Sequence, residues 1–178
     1  MRSRTPRKPR PPLEEEALER LALFYAGRYA TTRAKLAAYL DRKIRERGWE
    51  GRGAAPVDTL VERFAVLGYV DDRAFAAART GALLRRGYGQ RRVAAALRGA
   101  GIGEADAAES HALAEEQALA AAHRFARRKR LGPYGDAGPD PRARQKAAAA
   151  MIRAGHRMEL VWRVLGSSPG DLPDPDVP

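Results

Sequence analysis

Residues 85–101 read RRGYGQRRVAAALRGAG, and the reading of the whole chain starts here. Gly87 and Gly89 bracket a tyrosine, and Gly101 closes the stretch. Between Gln90 and Ala100, Val93 and Leu97 are four apart and fall on one helical face. Arg91 and Arg98 are seven apart and point away from that face. The pattern predicts a short helix between two glycine corners, apolar inside and basic outside.

The same pattern recurs. Lys35-Leu36…Leu40, Arg92-Val93…Leu97 and Lys146-Ala147…Met151 each place a basic residue before two apolar positions four apart. Tyr29, Tyr88 and Tyr134 precede these helices, and each follows a helix ending in Arg. Gly101 and Gly155 stop the second and third copies at the same place. An apolar helix follows each copy, at 57–67, 104–114 and 158–165. The chain therefore reads as three-helix units in tandem, an arrangement that predicts an elongated, curved all-α array. The corresponding division is a basic tail (1–12), an incomplete first repeat (13–50), repeats at 57–101 and 104–155, a terminal helix (156–165) and an acidic tail (166–178). Thr31 or Thr32 is a candidate N-cap for the helix carrying Leu36, and Asp140, followed by Pro141, for the helix carrying Met151. The stretch from Glu104 to Arg130, which has no Pro or Gly, reads as two helices with a break near 114–116, with a single long helix as the alternative.

Composition agrees. Of 178 residues, 36 are Ala and 17 Leu, against 3 Ile and 8 Val, which favours helix over strand. Cysteine is absent, so disulfides, Cys-bound zinc and cysteine nucleophiles are excluded. The basic start lacks the apolar stretch of a signal peptide, and no apolar run reaches 18 residues, so a cytoplasmic protein off the membrane is expected. The net charge is +11, and about +9 without the two tails, so the excess belongs to the folded part and implies an anionic partner.

The run Phe64-Ala65-Val66-Leu67-Gly68-Tyr69-Val70-Asp71-Asp72-Arg73-Ala74-Phe75-Ala76 precedes the opening stretch, and Ile102 follows its last glycine. Together they resemble the RecX family, bacterial regulators of the RecA recombinase. The family pattern is Leu-Gly-Tyr-aliphatic-Asp-Asp-x-x-Phe-Ala, a basic Arg-Gly-x-Gly corner, then Leu-x-x-x-Gly-Ile. The resemblance implies three tandem three-helix units, no enzymatic activity and no cofactor. It also implies binding in the groove of the RecA–single-stranded DNA filament, with suppression of ATP hydrolysis and strand exchange. Two departures stand out. Arg79 occupies a position where the family usually carries an aromatic or aliphatic residue; if inward, it could snorkel or pair with Asp71 or Asp72. The loop 131–139 is longer and richer in Pro and Gly than usual.

Catalytic and metal-binding constellations are missing from the sequence. His111, His123 and His156 have no metal-ligand spacing, and Ser110–His111 is not triad geometry. Asp71 and Asp72, ahead of a helix, read as caps rather than ligands. The basic groups carry the signal, because no acid falls between Arg73 and Glu104. A solvated face would mix signs at four-residue spacing. The candidate surface for partner or DNA comprises Arg85, Arg86, Arg91, Arg92 and Arg98 around Tyr88. A second patch, Arg127, Arg128, Lys129 and Arg130, lies in the third unit, with Arg142, Arg144 and Lys146 beyond the next loop. Lys35, Arg92 and Lys146 hold equivalent positions, and stacking would align them. Tyr88 and Tyr134 read equally as platforms for bases or Arg and as corner packing. The expected partners are the RecA filament and single- or double-stranded DNA, bound by a monomer. The competing class is a basic helical protein acting directly on DNA or RNA.

Overall fold

A computed structural model describes residues 11–135 and 140–167. Nearly all of both charged tails, and the end of the 131–139 loop, lie outside the described residues. Among the described residues there are nine α-helices, a short 3-10 turn and no strand beyond an isolated bridge between Leu13 and Trp49. None of these helices is long and apolar enough to cross a membrane. By compactness the chain forms two units, one ending at Asp72 and one starting at Arg73.

The first unit holds α1 (Glu15–Arg28), α2 (Arg33–Arg47) and α3 (Val57–Val66). They share a core in which Leu18, Leu36, Leu40, Leu60 and Phe64 are buried. Leu13 sits before α1, buried and bonded to the backbone at 48 and 50. The second unit holds α4 (Asp72–Arg85), whose first residue closes the first unit, α5 (Gln90–Arg98) and α6 (Glu104–Glu116) around one core, and α7 (Ala118–Lys129), α8 (Pro141–Arg153) and α9 (Met158–Leu165) around another. The break between α6 and α7 is Gln117, beside the expected position.

Three cores for nine helices cut the array ahead of α4 and ahead of α7. The division read from glycine phase, 57–101 and 104–155, cuts it one helix earlier each time. Glycine corners mark chain reversals at any phase, whereas a core marks which helices share buried area. Packing gives α3 to the first triplet, which is then complete.

Burial sets which face turns inward, and caps set where helices stop. Fully burying Val93 or Leu97 contributes about 1.5–3 kcal/mol each, against about 1 kcal/mol for a cap. Both side chains are fully buried, as are Leu36, Leu40 and Met151 at the corresponding positions. Thr32 caps α2 by accepting Lys35 N–H at 3.2 Å, and Asp140 caps α8 by accepting from Arg142 and Ala143. Asp72 also works as a cap, but on a distant helix. Its buried carboxylate accepts Arg33 N–H, the first of α2, at 2.9 Å. Arg79 is not inward. The buried face of α4 is Ala76, Thr80, Leu83 and Leu84, which leaves Phe75 half-buried and Arg79 exposed.

The second and third triplets are joined backbone to backbone. Gly89 N–H donates to Ala154 O at 3.0 Å, and Arg91 N–H to Gly155 O at 3.1 Å. A Cβ on Gly89 would stand 2.4 Å from Gly155 O. One on Gly155, whose φ is +97°, would stand 2.5 Å from Arg92 N. Gly155→Ala is therefore expected to destabilise by about 3 kcal/mol or more, through overpacking added to a strained φ. Gly27→Ala, in α1 with open space around it, should stabilise by up to about 0.5 kcal/mol. Thermal melting followed by circular dichroism checks both, and a Gly155→Ala protein that melts like wild type would overturn the tight junction.

Candidate functional site

The corner between α4 and α5 builds the site. Gly87 lies against α7 so closely that a Cβ would come within 2.5 Å of Phe125 N. Tyr88 is thereby wedged between two cores, half-buried, with its ring centroid 6.3 Å from that of Phe125. Three guanidinium groups surround the Tyr88 ring. Arg86 stands 5.3 Å from its centroid, Arg92 5.6 Å and Arg128 5.6 Å. Arg128 is also 5.5 Å from the Phe125 ring. These distances suit cation–π attraction. Lys129 and Arg153 complete the rim of a groove of about 680 Å³, floored by Leu131, Ala150 and Ala154. No carboxylate lines it.

Two histidines hold the elements around this groove. His156, buried in the corner between α8 and α9, donates from Nε2 to Gly87 O at 3.0 Å. The carbonyl can only accept, so Nε2 carries the proton. Burial lowers the pKa of His156 below the usual histidine value, partly offset by that hydrogen bond. His123 Nδ1 meets the Tyr134 hydroxyl at 2.9 Å. Burial, and then the Arg163 charge, lower the pKa of His123, while burial raises that of Tyr134. Both histidines are neutral structural groups. Among the described residues no cluster of three or more metal-binding side chains exists.

No protein-family model matches the chain. It is 33% identical over 179 residues to "Regulatory protein RecX" of Myxococcus xanthus, with 94% of each chain covered. The chain belongs to the RecX family. "Regulatory protein RecX" of Agrobacterium fabrum is 30% identical over 157 residues, covering 86% of this chain and 84% of the relative. A crystal structure of regulatory protein RecX has the same fold, with a TM-score of 0.62 at 19% identity over 85% of this chain and 73% of the other. These relatives are named as regulatory proteins, not as enzymes.

Within this RecX-family fold the basic residues singled out from sequence separate into groups. Arg86, Tyr88, Arg92, Arg128 and Lys129 meet in the groove, so two patches 40 residues apart in sequence form one site. Arg91 and Arg98 are exposed on α5 and do not line it; Arg127 at the end of α7 and Arg130 just beyond it are exposed beside Arg128 and Lys129. Arg85 folds back toward Gly81 on its own helix. Arg142 and Lys146 are exposed on α8, and Arg144 covers the Trp162 ring at 5.5 Å. Lys35 is half-buried in the first unit. Tyr134 is corner packing, bonded to His123 and set against the third core. Sequence reading missed Arg153, whose signal is its place three residues after Ala150 on the same face of α8. It also missed Arg124, which ties α7 to α4 through Leu84 O at 3.3 Å.

The lowered histidine pKa values fix a pH dependence. Above the unfolded value of about 6.5 both states are neutral and stability is full. As pH falls below it the unfolded chain takes protons that the folded chain resists, so stability drops until the lowered folded pKa values are reached. Each histidine adds a slope of at most about 1.4 kcal/mol per pH unit. Urea unfolding between pH 7.5 and 5 should show this decline, and His156→Gln, whose amide can still donate to Gly87 O, should flatten it. An equally steep decline in the variant would remove His156 from the account.

Proposed function

We propose that the chain binds the RecA–single-stranded DNA filament and restrains its ATPase and strand exchange, without chemistry of its own and without a cofactor. RecX-family membership supports RecA as the partner. The single observation in support of the surface is the acid-free groove at the junction of the second and third triplets, where five cations face outward together. Such a patch favours association with a phosphate-rich target and speeds encounter. It would act as a monomer in the cytoplasm, where RecA works. Double-stranded DNA is a weaker partner on this reading, held by charge alone. The competing reading is a basic protein that sequesters DNA directly.

Substoichiometric protein should lower the DNA-dependent ATPase of RecA, and added single-stranded DNA should not restore it fully. Complete rescue by DNA would favour direct sequestration. Reversing Arg86, Arg91 and Arg92 together to Glu should raise the concentration for half-inhibition by tenfold or more, about 1.4 kcal/mol per decade. Helicity and melting temperature should hold, since exposed charges contribute about 0–1 kcal/mol to stability. A triple variant that inhibits at wild-type concentrations would move the working surface to Arg142–Lys146 or to an apolar edge.

A further inference from the structure

We infer that the Tyr88 groove is a built subsite for one nucleotide unit of an unpaired nucleic-acid strand. Its phosphate would be held by guanidinium groups that the Tyr88 ring gathers, and its base laid on the apolar floor. The inference deepens the filament reading and rests on it for the identity of the strand.

Three observations carry it. The first is an uncompensated charge. Some exposed arginines of this chain meet carboxylates, as Arg20 does with Glu16, Arg73 with Asp106 and Arg157 with Glu115, and others among the described residues stand alone on the surface. Among the described residues no carboxylate pairs with Arg86, Arg92 or Arg128, although all three converge on one ring. An incoming anion completes that set. The second is the occupation of Tyr88. Its ring serves three cations, so it is a support that orders guanidinium forks for a phosphate, not a bare stacking platform. The third is the floor. Leu131, Ala150 and Ala154 lie beside the Phe125 ring within a groove of about 680 Å³, inside the roughly 300–1,000 Å³ range of sites for organic ligands. A carboxylate on an acidic protein has no flat apolar body for this floor. A nucleotide has one, and only an unpaired base is free to enter, where it can lie on guanidinium planes and apolar side chains.

The test uses the full chain without RecA. Anisotropy of a short fluorescein-labelled oligothymidylate reports strand binding. Arg128→Gln, in the groove, is compared with Arg98→Gln, which removes the same charge from the exposed side of α5 outside it. Arg128→Gln should weaken binding by about tenfold or more and Arg98→Gln by about threefold or less, since only the first removes a placed contact. Tyr88→Leu, which leaves the net charge unchanged, should also weaken binding, and Tyr88→Phe should bind like wild type. Equal losses in Arg128→Gln and Arg98→Gln would overturn the subsite and leave general attraction. Tyr88 is half-buried, so if Tyr88→Leu melts early the exposed Arg128 decides. Competition with ATP separates the two sources of phosphate. Displacement from wild type means that free nucleotides enter the same subsite, and its failure confines the subsite to strand phosphates. The RecA ATPase then separates this inference from the filament reading. Arg128→Gln that loses the strand but still inhibits RecA keeps the subsite and removes it from the filament contact. Arg128→Gln that keeps the strand but loses inhibition overturns the subsite in favour of an acidic RecA surface.

Discussion

Two helix ends that cannot satisfy their own backbone groups satisfy each other at the Gly89–Gly155 contact, and the groove exists because they do. The first N–H groups of α5 and the last carbonyls of α8 are left over by helical geometry. Gly89 and Arg91 donate to Ala154 and Gly155 across the junction. Each bond is worth only about 1 kcal/mol net, but leaving the same groups buried and unpaired would cost about 1–3 kcal/mol each. The pairing also sets the negative end of α8 against the positive end of α5, a favourable dipole contact. Its requirement is steric. Neither glycine position has room for a Cβ, and Gly87 meets the same condition against α7. The three glycines at 87, 89 and 155 are thus the sequence form of one close approach. Arg92, one residue beyond Arg91, and Arg153, one before Ala154, reach the same groove as a consequence.

The charge gathered there is not a stability device. Two unit charges 4 Å apart repel by about 1 kcal/mol in bulk water, and an exposed cation–π contact returns about 0.5–1 kcal/mol. The two effects roughly cancel, so the Tyr88 ring makes the cluster tolerable without making it favourable. Stability comes instead from the buried faces beneath it, where Val93, Leu97, Met151 and Val161 are fully enclosed. A cluster with no net energetic reason to exist in the folded chain is the kind of feature that a ligand explains.

Local rules were readable from residues and long-range ones were not. The helices, the caps at Thr32 and Asp140, and the buried pairs Leu36/Leu40, Val93/Leu97 and Ala147/Met151 follow from spacing and side-chain chemistry within a few residues. The family resemblance put Arg79 at a position usually apolar, but in the structure it is exposed. The inward face is set by Ala76, Thr80 and Leu83, since small residues let α4 pack closely where an aromatic would hold it off. Asp72 read as a local cap, yet its carboxylate serves a helix that begins 39 residues earlier. Arg86 with Arg92, and Arg128 with Lys129, looked like two patches. Only the backbone contact of Gly87 with Phe125 merges them, and contacts between distant segments leave no mark on hydrophobic period.

At the second helix of each triplet, anion recognition falls to side chains. A helix N-terminus is a ready anion site when its N–H groups are free. Here N–H groups at each start are already taken. Thr32 and Asp72 accept from α2, the carbonyls of Gly89 and Gly155 accept from α5, and Asp140 accepts from α8. Two of those starts carry a carboxylate, which would repel a phosphate outright. At these three starts the positive potential that remains free resides in guanidinium and ammonium groups that can be changed one at a time. A surface of that kind should respond to single neutralisations in proportion to how well each group is placed. The ring that places three of them, Tyr88, is therefore the residue whose loss separates placement from charge.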